Sequence, residues 1–251
     1  MDSAKKVISI LEVFLKQKDK VGISDLAKLS GLSLSTAHRF ATTLAKEGYL
    51  KQEFKRGKYS LGIKFLEFGR IILSRLELNN IARPFLEEIG EQSGETVVLA
   101  VFDGTDVINI MRVESRHVLQ VHSAIGRIAP LHATAVGKIL LAFMPEEEFT
   151  KYLGNKELIS RTNKTITNIN VLKKELETVR REEIGIDDEE NNPGVWSIAA
   201  PVRDWTGKVV AAVGIIGPVS RQSLRETEKL KELIKRIGDQ ISRDMGFKDL
   251  K

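Results

Sequence analysis

The stretch Ser24-Asp-Leu-Ala-Lys-Leu-Ser-Gly-Leu-Ser-Leu-Ser-Thr-Ala-His-Arg-Phe40 decides the N-terminal fold. Ser24 can cap a short helix over 25–30, and Gly31 suits the left-handed residue that ends it. Ser33 can cap another helix, about 34–47, which stops at Gly48 for the same reason. Only Gly31-Leu32-Ser33 separates the two helices, the short turn of a helix-turn-helix. The second helix has an apolar stripe of Ala37, Phe40, Ala41 and Leu44. Ser35, Thr36, His38, Arg39, Thr42, Thr43 and Lys46 fall on its other faces, with no acid before Glu47. A helix laid in the major groove needs such a face: small hydroxyls near its start for phosphates and a long donor for base edges. Arg39 is the best base reader, because a guanidinium pairs bidentately with guanine. His38 assists it or packs on the sugar–phosphate edge.

Upstream, Ala4, Val7, Ile8, Leu11, Phe14 and Leu15 recur at helical spacing and predict a helix over 3–17. Downstream, β-prone runs at 49–54 and 58–61 flank Lys55-Arg56-Gly57, a hairpin with glycine at its turn. Three helices and a hairpin make a winged helix-turn-helix, and Lys55, Arg56 and Lys58 suit phosphate contact from the wing. Residues 1–62 hold 12 Lys/Arg against 6 Asp/Glu, whereas 63–251 hold 27 against 28. The excess positive charge is therefore confined to this module, as a polyanion partner requires. Taken singly, the helix face and the basic turn read equally well as solvated surface; their order and shared charge favour DNA.

The 251 residues are 42% hydrophobic and include no cysteine. Disulfides, thiolate metal sites, iron–sulfur clusters and thiol switches are thereby excluded, and the cytoplasm is the default compartment. No apolar run is long enough to span a bilayer, so no membrane partner is expected. Residues 63–76 are apolar on more than one side of a helix, which suits a linker buried between domains or subunits and predicts a homo-oligomer. A further helix covers 78–92. Beyond Gly94, β-rich runs at 96–102, 107–113, 118–123, 195–202 and 209–216 alternate with helical patterns at 133–143, 146–153, 169–181 and 225–245. Asp103-Gly104 and Thr206-Gly207 mark tight turns, hence antiparallel hairpins. The fold class is α+β: a winged helix-turn-helix at 1–62, a linker helix at 63–77, and a domain at 78–251 with a mostly antiparallel sheet flanked by helices.

Enzyme signatures are missing, and no catalytic residue, cofactor or metal is assigned. Residues 133–138 look like a phosphate loop only superficially, with His132 where the first glycine belongs and Ile139 in place of Ser/Thr. Asp187-Asp-Glu-Glu190 point to different sides and suit a solvated loop. His117, His122 and His132 lack zinc-protease spacing, and only assembly in space would make them a metal site. Residues 134–138 open a helix among small residues, Ala133, Ala135 and Gly137. Close helix–sheet packing accounts for them, as does a ligand approaching the free N–H groups of the helix start.

Gly31-Leu-Ser-Leu-Ser-Thr-Ala-His-Arg-Phe40, Glu47-Gly-Tyr-Leu50 and Tyr59-Ser-Leu-Gly62 resemble the helix-turn-helix and wing of the IclR family of bacterial regulators. The resemblance continues, in order, through Gly94-Glu-Thr-Val-Val-Leu-Ala100, Leu131-His-Ala-Thr-Ala-Val-Gly-Lys138, Asp187-Asp-Glu-Glu190 and Ile198-Ala-Ala-Pro-Val202. It implies a GAF-like effector domain behind the linker helix, in dimers or tetramers that repress or activate catabolic operons. It also implies a pocket of Ala135, Val136, Asp187, Ser197, Gly214 and Ile216 beside Thr134. Beyond the resemblance, Val121, Ser123, Ile128 and Leu131 are candidates to complete the wall. Many relatives carry hydroxyl residues where Gly214 and Ile216 stand. A larger or more apolar acid, aromatic for instance, then fits the room at Gly214 better than a small oxo-acid. Asp187 accepts a hydrogen bond from a ligand hydroxyl or is a surface turn residue. The expected function is a sequence-specific regulator with three kinds of partner: double-stranded operator DNA, a carboxylate effector and further copies of itself, as homodimer or homotetramer. The competing reading is a small-molecule-binding or catalytic α+β domain whose basic N-terminal module contacts proteins.

Overall fold

The computed structural model describes residues 2–17, 20–53, 57–75, 77–155, 157–222 and 224–248. The chain forms two compact units, Met1–Arg75 and Leu76–Lys251. The first holds α1 (Ser3–Lys16), α2 (Ile23–Ser30), α3 (Leu34–Lys46), β1 (Leu50–Gln52), β2 (Tyr59–Leu61) and α4 (Lys64–Arg75). Gly31 ends α2 at φ 69°, the left-handed conformation expected of it. Ser33 caps α3, its hydroxyl accepting the Thr36 N–H at 3.4 Å. Ser24, by contrast, caps nothing: α2 begins after Gly22 and Ser24 lies inside its first turn. The earlier start lets Ile23 pack on a core of Ile10, Phe14, Leu26, Ala41, Leu44 and Tyr59, where each fully buried large side chain contributes about 1.5–3 kcal/mol. Val21 and Tyr59 exchange backbone hydrogen bonds of 2.9 and 2.8 Å, which ties the wing to the connection before α2.

The second unit runs α5 (Glu77–Ser93), β3 (Thr96–Phe102), β4 (Val107–Val113), β5 (Ile128–Ala129), α6 (Ala135–Ala142), α7 (Glu146–Asn155), α8 (Ile169–Glu182), β6 (Gly185–Asp188), β7 (Val195–Arg203), β8 (Val209–Pro218), a 3₁₀ turn and α9 (Leu224–Asp244). Its six strands lie in the order β5-β4-β3-β8-β7-β6, every neighbouring pair antiparallel. The helices take opposite faces. Val98, Ala199 and Ala212 pack with Ala135, Val136 and Ile139 of α6 and with α8. The alternate residues Ala200 and Val213 meet Gly238 of α9, and Val97 and Val113 meet Gly90 of α5.

Residues 118–123, expected as a strand, are irregular. Side chains hold this segment in place of a ladder: the Thr96 hydroxyl donates to the Val121 carbonyl at 3.0 Å, and Asn109 Nδ2 donates to Ser123 Oγ at 2.8 Å. Two short strands, β5 and β6, were not foreseen. The Asp187 run, expected as a solvated loop, begins inside β6.

Candidate DNA-reading face and effector cavity

On α3, Ala37, Ala41 and Leu44 are buried, while Ser35, His38, Arg39, Thr42, Thr43 and Lys46 are exposed and Thr36 is half-buried. The Arg39 guanidinium lies 5.1 Å from the Phe40 ring centroid, and Phe40 is half-buried beneath it. Four hydroxyls are engaged locally: Ser33 donates to Thr36 Oγ1 at 2.8 Å and lies 3.3 Å from Ser35 Oγ, and Thr43 donates to the Arg39 carbonyl at 3.0 Å. In the wing, Lys58 is exposed; Lys55 and Arg56 lie outside the described residues. Arg39, Lys46 and Lys58 pair with no acid among the described residues.

In the second unit, Asp187 pairs across the sheet with Ser197, and Ser197 with Ile216. Directly opposed residues share a face, and Gly214, two residues along β8, shares it too. The start of α6 stands over this face. Thr134 is its N-cap, accepting the Gly137 N–H at 3.1 Å and donating to the Pro130 carbonyl at 2.9 Å. The N–H groups of Ala135 and Val136 have no acceptor within the helix. These residues, with Val121 and Ser123, line a cavity of about 50 Å³.

Two expected wall residues are not there. Ile128 is 53% exposed on the edge strand β5 and borders a separate depression with Asp106 and Tyr152. Leu131 is wholly buried in the core with Ile139 and Leu141. Gly214 provides no spare room either: a Cβ there would sit 2.8 Å from Val136 Cγ1. The missing side chain serves the close approach of α6 to the sheet.

Asp187 is a buried strand residue, not a surface turn. Its Oδ1 accepts the N–H groups of Glu190 at 2.8 Å and Asn191 at 3.3 Å, and its Oδ2 accepts the Ser197 hydroxyl at 3.2 Å. Burial outweighs these bonds and raises its pKa to about 6. The sequence reading missed Asn109, Arg127, Asn191 and Asn192, which also line the cavity. Asn109 had a signal, as the lone polar residue in Val107-Ile-Asn-Ile-Met111. Asn191 Oδ1 is buried with no hydrogen-bond partner among the described residues.

Lys138, one turn into α6, is 1% exposed. Its ammonium donates to Glu190 Oε1 at 2.6 Å, the Ile186 carbonyl at 2.9 Å and Glu175 Oε1 at 3.1 Å, so all three protons are used. Burial still pushes the Glu190 pKa up, against the pull of Lys138. The three histidines do not converge: no cluster of three His, Cys, Asp or Glu able to hold a metal occurs among the described residues. Nor is any described helix long and apolar enough to cross a membrane.

A winged helix-turn-helix joined to an antiparallel α+β unit defines a class of DNA-binding regulator. The family model described as the bacterial transcriptional regulator IclR C-terminal domain matches residues 71–243, and that of the IclR helix-turn-helix domain matches residues 3–53. The transcriptional regulator XynR of Escherichia coli is 32% identical over 247 residues, 98% of each chain. KdgR of the same organism is 33% identical over 249 residues, 99% of this chain and 94% of the other. The crystal structure of Thermotoga maritima IclR matches with a TM-score of 0.75 at 34% identity, over 98% of this chain and 99% of that one. An IclR homologue from Microbacterium hydrocarbonoxydans, crystallised with 4-hydroxybenzoate, shares the fold with a TM-score of 0.83 at 24% identity, over 97% of this chain and 99% of that one. The chain belongs to the IclR family and is a transcriptional regulator with a helix-turn-helix DNA-binding domain. XynR and KdgR, likewise, are named as regulators and not as enzymes.

Proposed function

We propose that this regulator reads operator DNA with α3 and changes its grip when a hydroxylated carboxylate binds between α6 and the sheet. Arg39 contacts base edges with His38 beside it. Ser35, Thr36, Thr42, Thr43 and Lys46, with Lys55, Arg56 and Lys58 of the wing, contact the backbone. Residues 1–62 form the DNA-binding module, 63–77 the linker and 78–251 the effector domain, working in the cytoplasm.

The observation that carries the ligand reading is the lining itself. Free N–H groups of Ala135 and Val136 favour an anion, and Arg127 stands at the rim as counter-charge. Asp187, Asn109, Ser123 and Asn191 offer polar partners for hydroxyl groups. This weighs towards a hydroxylated acid and away from an aromatic one. At about 50 Å³ the cavity must widen to admit it, since small-molecule pockets usually hold about 300–1,000 Å³. The ligand's preference for the widened arrangement is then the free energy available to shift operator affinity. A homo-oligomer is supported by Ile63, Leu66 and Phe68, exposed by 72%, 67% and 47%, at and just before the first turns of α4.

The test is a calorimetric screen of sugar acids and other hydroxy acids against the full chain, with and without an operator selected from genomic fragments. Coupling is reciprocal, so operator must change ligand affinity by the factor by which ligand changes operator affinity. Hydroxy acids that bind with an affinity indifferent to operator would refute the regulatory role. Sedimentation as a monomer at micromolar concentration would refute the oligomer.

A further inference from the structure

We infer a second ligand site in the larger unit, on the sheet face opposite the effector cavity, that takes a carboxylate carried on a compact apolar body. Trp196 and Ser197 are consecutive in β7, so their side chains point to opposite faces. Ser197 lines the small cavity; Trp196 lines another of about 520 Å³, between α5, α9 and the 3₁₀ turn Val219–Arg221. That volume falls within the usual range for small-molecule sites, about 300–1,000 Å³.

The wall chemistry sets the ligand class. The lining sets three apolar side chains, Trp196, Leu230 and Leu233, beside the polar Gln92, Ser93, His117, Gln222 and Thr227. Trp196 is 3% exposed and its indole N–H is already spent on the Pro218 carbonyl at 3.1 Å, so its ring closes the inner wall and offers no donor. Glu95, 5% exposed, is matched by Arg221: Nε reaches one carboxylate oxygen at 2.6 Å and Nη2 the other at 2.7 Å. Arg221 Nη1 also donates to the Leu119 carbonyl at 2.8 Å, which fixes the fork in place. The wall's anion is thus neutralised by a bidentate pair. Lys229 lies on the rim, exposed and without an ion-pair partner among the described residues. A neutralised ion pair, a lining that mixes apolar and uncharged polar groups, and an exposed ammonium suit a carboxylate on a compact apolar body. This site stands independently of the effector reading, because the two cavities share no lining residue among the described residues.

The chain has two tryptophans, and Trp205 is 77% exposed, so Trp205→Phe leaves Trp196 as the sole emitter. Full-length Trp205→Phe protein is titrated with sodium benzoate, followed by Trp196 emission and by calorimetry. Expected is saturable binding with a Kd of about 1 mM or tighter, weakened about tenfold or more by Lys229→Glu and retained in Arg127→Ala. Absence of both heat and emission change overturns the site. So does binding that Lys229→Glu leaves intact; if Arg127→Ala also abolishes it, benzoate occupies the effector cavity instead.

Discussion

Lys138 Nζ lies 2.6 Å from Glu190 Oε1, in a cluster that fastens α6 to α8 through Glu175 and to β6 through the Ile186 carbonyl. Removing one partner of a buried ion pair leaves the other charge without compensation, which costs about 3–5 kcal/mol. Lys138→Met should therefore destabilise the chain by that amount in urea unfolding. Adding Glu190→Gln should recover part of the loss. A single variant within about 0.5 kcal/mol of wild type would show that the cluster holds nothing together.

Asp187 gives the fold a pH dependence of defined sign. Its carboxyl titrates near 6 when folded and near 3.8 when unfolded. The folded state therefore keeps a proton that the unfolded chain releases between those values. Its contribution to stability is full below the lower value and lost as pH rises through about 6. Asp187→Asn lacks this dependence. From about pH 4 to about pH 7, wild type should lose on the order of 1–3 kcal/mol relative to that variant. A difference that stays flat, or runs the other way, contradicts the buried acid.

Gly214 faces Val136 so closely that even one methyl group overpacks the contact. Gly214→Ala should cost about 1–3 kcal/mol, and Val136→Ala in the same chain should relieve much of it. If the two substitutions are additive in thermal unfolding, the contact is looser than described.

The sequence disclosed what is local. The cap at Ser33 and the spacing of Ala37, Ala41 and Leu44 located α3 to within a residue, because helix starts and helical periodicity are written over a few positions. The long runs of β3, β4, β7 and β8 were equally plain, with Gly104 and Gly207 at their turns. What stayed hidden depends on distant partners. β6 reads Gly-Ile-Asp-Asp and is a strand only because β7 pairs with it. The burial of Lys138 had no local sign, since the acids that let it be buried lie 37 and 52 residues away. Gly214 suggested room, whereas Val136, far off in sequence, had already filled it. The residues around the small cavity were named through family resemblance, and its asparagines were not.

In the wing, Lys58 is exposed and has no ion-pair partner among the described residues, and its role is tested by salt. Lys58→Ala should weaken operator and random duplexes alike and lower the slope of log affinity against log salt by about 1. An unchanged slope would remove the residue from the interface.

Sequence reading by α3 rests above all on Arg39. Anisotropy titrations at one fixed salt concentration compare wild type and Arg39→Ala on a selected operator and on random duplex of equal length. Losing one bidentate base contact should cost about 1–3 kcal/mol on the operator and almost nothing on random DNA, so the ratio of the two affinities falls about 5- to 150-fold. Equal weakening on both duplexes, with the ratio unchanged, would make Arg39 a phosphate contact and contradict sequence reading by this face of α3.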